Sequence, residues 1–220
     1  GFNISMTPGF SVSRVVWLEM GGVYAVANLR GGAEYGDPWW KAGIKDKKQN
    51  VFDDFIAAGE YLVKEKYTQP SKLAIQGGSN GGLLMGVMYT RYPELFGAVV
   101  IQVPLLDMKR YSHLLAGASW MAEYGNPDTA DWEYIQTFSP YHLFDPAKSY
   151  PPVLFTTSTR DDRVHPGHAR KMAAKMIEAG KDVTYYENIE GGHGGAANNA
   201  QAAHMSALAY SFLWERLGGK

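Results

Sequence analysis

Lys72-Leu73-Ala74-Ile75-Gln76-Gly77-Gly78-Ser79-Asn80-Gly81-Gly82-Leu83-Leu84-Met85 is the stretch whose reading decides the fold. The apolar run ending at Ile75 stops at a glycine-flanked serine, and a helix-forming series follows from Leu83 to Tyr89. Strand, sharp turn and helix are therefore expected in immediate succession. Gly77-Gly78-Ser79-Asn80-Gly81 fits G-x-S-x-G, the nucleophile elbow, in which the serine takes a strained backbone conformation and flanking glycines remove Cβ atoms that would clash. Such a turn lifts the Ser79 hydroxyl above the sheet edge and leaves the N–H of Asn80 at a helix start, where a developing oxyanion is stabilised. A glycine-rich strand-to-helix turn is also how phosphate-binding loops look, but no Gly-Lys-Ser/Thr follows here.

Upstream of the elbow, Gly1 to Ser11 has loop composition and Val12 to Met20 reads as a helix. Val23-Tyr24-Ala25-Val26-Ala27-Asn28-Leu29 is apolar almost throughout, as expected of a strand buried on both faces of a parallel sheet. It runs into the loop Arg30-Gly31-Gly32-Ala33-Glu34-Tyr35-Gly36. Asn50 to Lys66 then has helical spacing, with Asn50 as the expected N-cap and Asp53 and Asp54 in the first turn. Downstream, Gly81 to Tyr92 is a helix closed by Pro93, and Gly97 to Val103 is an apolar strand. Asp107 to Tyr150 is rich in aromatics and poor in strand patterns, so it reads as an irregular, partly helical excursion over the sheet's carboxyl edge. Pro152 to Thr157 returns to strand, His168 to Ala179 to helix, Asp182 to Tyr186 to strand, and Asn199 to Leu217 to a final helix. Alternating units with each glycine-rich loop after a strand give a single α/β domain over 1–220, its site along the carboxyl ends of a parallel sheet.

The 220 residues are 45% hydrophobic with formal net charge −1, enough to bury a substantial core. That near-neutral balance argues against nucleic acid or a membrane surface as partner, and no apolar run approaches spanning length. Cysteine is absent, which excludes disulfides and thiolate metal sites and leaves the compartment open. The first residues, Gly1-Phe2-Asn3, carry neither initiator methionine nor a basic signal start, so the start is expected to be processed or excised.

A serine nucleophile needs a base to take its proton and a third group to orient that base. In α/β-hydrolases these follow in the order Ser, acid, His, each on a loop after a later strand. Both places are filled: Asp161 and Asp162 stand in a loop after one strand, and His193 stands in Gly191-Gly192-His193-Gly194-Gly195 after the next. His165 and His168 could share a metal, but no third ligand type is near in sequence, and helix-start histidines describe them better. No metal or other cofactor is expected.

Asn28-Leu29-Arg30-Gly31-Gly32-Ala33-Glu34-Tyr35-Gly36, Gly77-Gly78-Ser79-Asn80-Gly81-Gly82, Asp161-Asp162-Arg163-Val164 and Gly192-His193-Gly194 together resemble the catalytic domain of the prolyl oligopeptidase family. These are post-proline-cleaving serine peptidases, and the similarity runs through essentially the whole chain in order. The resemblance implies an α/β-hydrolase fold with Ser79 as nucleophile, Asp161 rather than Asp162 as acid, and His193 as base. It further implies Tyr35 as a phenolic oxyanion donor beside the N–H of Asn80, and Arg163, next to Val164, as the anchor of a substrate carbonyl. For Arg163 the plain alternative is an ion pair with Asp162. Trp120 and Tyr124 resemble the aromatic wall on which a proline ring stacks, although aromatics in such an excursion also serve simply as core. The substrates implied are short proline-containing peptides. A carboxylesterase of the same fold and a non-catalytic fragment are the competing readings.

The chain begins inside the family's Gly-Gly-Phe-Asn segment, so the β-propeller and the first strands of the hydrolase sheet are expected to be absent. The strand before Gly1 would belong between Val23–Leu29 and Lys72–Ile75. Its absence predicts a gap in the sheet that the missing N-terminal part, or another molecule, must fill.

Overall fold

The computed structural model describes residues 1–218. In chain order it has α1 (Val12–Glu19), α2 (Asp37–Lys41), α3 (Gln49–Lys64), β1 (Ala74–Gly78), α4 (Asn80–Arg91) and β2 (Ala98–Gln102). The excursion follows, built of 3-10 turns and the short helices α5 (Met121–Tyr124), α6 (Trp132–Ile135) and α7 (Pro140–Leu143). Then come β3 (Val153–Ser158), α8 (Gly167–Glu178), β4 (Val183–Asn188) and α9 (Asn199–Arg216). The four strands form one sheet in the order β1-β2-β3-β4, parallel throughout, with Val100 opposite Leu154 and Phe155 opposite Tyr185.

Strand periodicity divides the core in two. Val99, Ile101, Val153 and Phe155 face one layer, with Phe52 of α3, Leu83, Met85 and Met88 of α4 and Met172 and Met176 of α8. Ala98, Val100 and Leu154 face the other, against Trp17 of α1 and Ala209, Phe212 and Leu213 of α9. The excursion adds Tyr111, Tyr124 and Phe138 to the first layer, so it is packed against the core rather than draped over it. Asn50 is not the N-cap of α3: Lys48 holds that place, and the Asn50 amide instead donates to the carbonyl of Ala42 at 2.8 Å. The helix thus begins two residues earlier than the expected cap implies.

The expected strand at Val23–Leu29 is the main correction. It forms no ladder, and instead of being buried on both faces Val23, Tyr24 and Val26 are 72%, 42% and 51% exposed. β-branched composition makes a segment fit for a sheet, but a ladder needs a neighbour, and among the described residues there is none on either side. β1 is likewise paired on one edge only, with β2. Between the two lies a groove of about 590 Å³, bordered by Val23–Ala27 and by Lys72–Gln76. Phe55, Ala58 and Leu62 line it from α3, and Trp17, Tyr210 and Trp214 from the α1 and α9 side. The gap expected in the sheet is therefore present as an apolar slot.

Candidate active site

β1 delivers Ser79 directly onto α4. Ser79 has φ 57° and ψ −117°, a conformation that costs a non-glycine residue on the order of 1–3 kcal/mol and persists only when its surroundings impose it. They do so through the main chain: Ser79 N–H donates to the Gln102 carbonyl at 2.9 Å, and Leu83 N–H donates to the Ser79 carbonyl at 3.1 Å. The glycines divide the work unevenly. A Cβ on Gly77 would fall 2.5 Å from the Gly81 carbonyl oxygen, whereas a Cβ on Gly81 would meet open space. Gly77 is thus required by the close crossing, and Gly81 supplies the backbone it crosses. The N–H of Asn80, in the first turn of α4, donates to no acceptor among the described residues. It is a free donor beside the hydroxyl.

The loops after β3 and β4 bring a carboxylate and an imidazole together. Asp161 Oδ2 lies 2.8 Å from His193 Nδ1, with the carboxylate buried and the ring 15% exposed. The other oxygen, Oδ1, accepts the N–H groups of Arg163 and Val164, both at 2.9 Å, so the carboxylate cannot rotate away from the histidine. Burial raises the Asp161 pKa, but the hydrogen bonds from His193 and from those two N–H groups outweigh it and hold the carboxyl below its usual range. Asp162 is exposed. Of the two adjacent carboxylates, Asp161 is the one that faces the ring. The His193 loop is pinned in turn by Asn188, whose Nδ2 donates to Gly195 O at 2.9 Å and to Gln201 Oε1 at 2.8 Å. No hydrogen bond joins Ser79 Oγ to His193 among the described residues; such contacts are commonly long before substrate binds.

The remaining candidates separate. Arg163 is exposed and its guanidinium pairs with no carboxylate among the described residues, Asp162 included. Val164 is buried under the acid loop. Trp120 is half-buried against the core, while Tyr124 presents no surface at all: it is 0% exposed, and its hydroxyl donates to Asn80 Oδ1 at 2.7 Å. Tyr35 is exposed at the rim, edge-on to Trp39 with ring centroids 4.9 Å apart. Its hydroxyl reaches neither Ser79 nor any other described residue. His165 and His168 have separate local duties. His165 Nδ1 accepts Gly167 N–H at 2.9 Å, and buried His168 accepts from the N–H groups of Leu106 and Asp107 at 3.2 and 3.0 Å.

Sequence reading passed over Glu123 and Lys48, a buried ion pair at 2.8 Å behind Tyr124, and Asn188, the brace of the histidine loop. Their only signals were an acid set among aromatics and a lysine beside a helix start, both ordinary on a surface.

A parallel sheet that hands a strained serine to a helix after β1, with an acid and a histidine on loops after β3 and β4, is an α/β-hydrolase fold. Residues 8–220 match the prolyl oligopeptidase family, and the chain belongs to it. It is 51% identical to an uncharacterised peptidase of Sinorhizobium fredii, over 99% of this chain and 30% of that protein. Against the prolyl endopeptidase of Elizabethkingia miricola the identity is 43%, over 100% of this chain and 32% of the other. A solved prolyl endopeptidase superposes with a TM-score of 0.96 at 52% identity, covering 100% of this chain and 33% of that one. The chain spans about a third of the length of the relatives it matches.

Proposed function

We propose that this chain carries the catalytic machinery of a serine peptidase that hydrolyses the bond on the carboxyl side of proline in short peptides. The observation that carries the proposal is the Asp161–His193 hydrogen bond on loops after β3 and β4, on the same edge of the sheet as a strained Ser79 after β1. His193 Nε2 takes the hydroxyl proton as Ser79 Oγ attacks the scissile carbonyl, and Asp161 holds the ring and stabilises the imidazolium. The free N–H of Asn80 receives the developing oxyanion, joined by the Tyr35 hydroxyl once its loop is drawn inward. His193 then returns the proton to the leaving amine, and water, deprotonated by the same ring, hydrolyses the acyl-enzyme. Arg163, unpaired and exposed, is free to hold a substrate carbonyl, and Trp120 offers a flat face to a pyrrolidine ring.

The slot between Val23–Ala27 and β1 is the place for a partner strand. Gly31 lies against Gly1, a Cβ there falling 3.5 Å from Gly1 Cα, and a Cβ on Gly1 would sit 2.6 Å from Asn80 Nδ2. Gly1 thus stands over the mouth of the slot, at the carboxyl ends of both borders. A segment leading into Gly1 along the slot would run parallel to β1 and pair with both edges. The occupant we propose is the N-terminal part of a longer chain.

Titration with a fluorophosphonate, followed by comparison of a prolyl with an alanyl peptide substrate, tests the function. Stoichiometric labelling of Ser79 and preference for the prolyl substrate are expected. Labelling with ester cleavage but no peptide cleavage would move the chain to a carboxylesterase, and no labelling would make it a non-catalytic fragment.

A further inference from the structure

Lys48 and Glu123 form an ion pair with both partners almost wholly buried, at 2% and 3% side-chain exposure, and the reaction above does not use it. Removing two charges from water costs about as much as their attraction returns, so stability alone does not account for such a pair. Burial indeed lowers the Lys48 pKa even with Glu123 beside it.

What the carboxylate does is collect donors from segments far apart in the chain. Oε1 accepts Lys48 Nζ at 2.8 Å and the N–H of Phe2 at 3.2 Å, and Oε2 accepts the indole N–H of Trp40 at 3.2 Å. Trp40 lies in α2, directly after the Tyr35 loop, whose tyrosine packs on the neighbouring Trp39. On the other side Glu123 is followed by Tyr124, which donates to Asn80 and carries the Lys48 ammonium 5.0 Å over its ring. Phe2 closes against the same ring, edge-on at 5.5 Å.

We infer that Lys48 and Glu123 are positioning residues that hold the base of the Tyr35 loop against the Asn80 elbow, the anchor from which the Tyr35 hydroxyl is drawn inward to the oxyanion beside the Asn80 N–H. Neither touches the reacting atoms. Glu123 reaches one donor through Trp40 and the other through Tyr124, and Lys48 holds the carboxylate where both connections close. This rests on the oxyanion reading of Tyr35 and Asn80 given above.

The test is the rate at which a fluorophosphonate labels Ser79, since its phosphoryl oxygen takes the oxyanion's place. Lys48→Met with Glu123→Leu removes both charges and fills the volume; it should unfold cooperatively like the parent yet label roughly 10²-fold more slowly, the loss typical of one oxyanion donor. Lys48→Met with Glu123→Gln, whose amide oxygen can still accept the Trp40 indole, should recover most of that rate. Trp40→Phe cuts only the indole bond, and keeps the test alive if the apolar pair does not fold. Tyr35→Phe should slow the parent but add little in the Glu123→Leu or Trp40→Phe background, because all act through one donor. Full-rate labelling in the folded apolar pair or in Trp40→Phe, or an independent, multiplying effect of Tyr35→Phe, overturns the inference alone. No effect of Tyr35→Phe in the parent, or a parent that does not label, removes the oxyanion reading and the inference with it.

Discussion

The two sides of β1 are built to different standards. From β1 onward every strand has a neighbour on the side facing β2 and β3, the central strands are buried but for Gln102 at the end of β2, and Ser79, Asp161 and His193 sit on the ends of this laddered half. Before β1, Val23–Leu29 lies without a ladder, Phe10, Val12 and Val16 are exposed, and a slot takes the place of a strand. The difference teaches that the proposed acid, base and nucleophile stand on strand ends laddered within the chain, whereas the Tyr35 loop follows a segment with no ladder and is tied to the elbow side through Trp40 and Glu123. The proposed triad thus lies on the laddered half, and the proposed phenolic oxyanion donor follows the unladdered one.

The largest effect should come from breaking the complete half. Ser79→Ala and His193→Ala should each remove nearly all fluorophosphonate labelling or turnover, with the double variant scarcely worse, because such residues act as a unit. Additive losses would mean that Ser79 and His193 do not share a proton, and the laddered half would lose its claim to the chemistry.

The second test compares the halves directly by hydrogen exchange. Amides of β2 and β3 should exchange only through global unfolding, which in an intact domain costs ~5–15 kcal/mol, while those of Val23–Leu29 should exchange through local opening near zero cost. A longer form of the chain that fills the slot should raise protection in Val23–Leu29 and in β1 together. Slow, cooperative exchange of Val23–Leu29 in the chain alone would show that this side closes by itself.

Much of the complete half was legible in the sequence for the reason that makes it complete. Its strands are apolar runs that find partners inside the chain, so composition and outcome agree at Ala98–Gln102 and Val153–Ser158. The elbow was legible because Gly77 is required by a backbone crossing and Ser79 by a strained turn, both visible as a motif. Val23–Leu29 reads equally well as a strand and is not one, since pairing belongs to two segments and the sequence displays one at a time. The Asp161 geometry followed from loop order plus a family pattern. Tyr124, expected on an open wall, is sealed by Phe2 and Lys48, and nothing in its spacing from Trp120 distinguishes a wall from a core. Glu123 and Lys48 were missed because charge run and helix start are surface signatures, overridden here by a donor set assembled from three distant segments.

A third, smaller effect is a pH dependence belonging to the complete half. His168 is buried, and its Nδ1 accepts two main-chain N–H groups, so a proton there would break both hydrogen bonds. Burial first, then the nearby His165 and Lys171, outweigh Asp107 and Asp161 and lower its pKa to about 4. An unfolded histidine titrates near ~6.5. Between these values the unfolded chain holds a proton that the folded chain lacks, so stability should fall as pH drops from about 6.5 to about 4, by at most ~3 kcal/mol. Urea midpoints of the parent and of His168→Gln across this range check it. Parallel curves would assign the acid sensitivity to other groups.

The smallest effect falls where the two halves meet substrate. Trp120 ends a 3-10 segment of the excursion and is half-buried against the core. That segment is tied to the acid loop through Ala116 N–H and the Arg163 carbonyl at 3.3 Å, so a ring resting on Trp120 would lie beside the residue proposed to hold the preceding carbonyl. Stacking of a flat ring is worth ~0.5–1.5 kcal/mol beyond area, a factor of roughly two to ten. Trp120→Ala should therefore raise KM for a prolyl substrate by about that factor more than for an alanyl one, with kcat little changed, because the interaction is present before and during the chemistry. Tyr124→Phe is the informative control. It deletes only the hydroxyl that holds Asn80, so it should lower kcat for both substrates alike and leave their ratio intact. Two aromatics four residues apart would then report on different steps, Trp120 on recognition of the ring and Tyr124 on the oxyanion. An equal KM change for prolyl and alanyl substrates in Trp120→Ala would return Trp120 to the core.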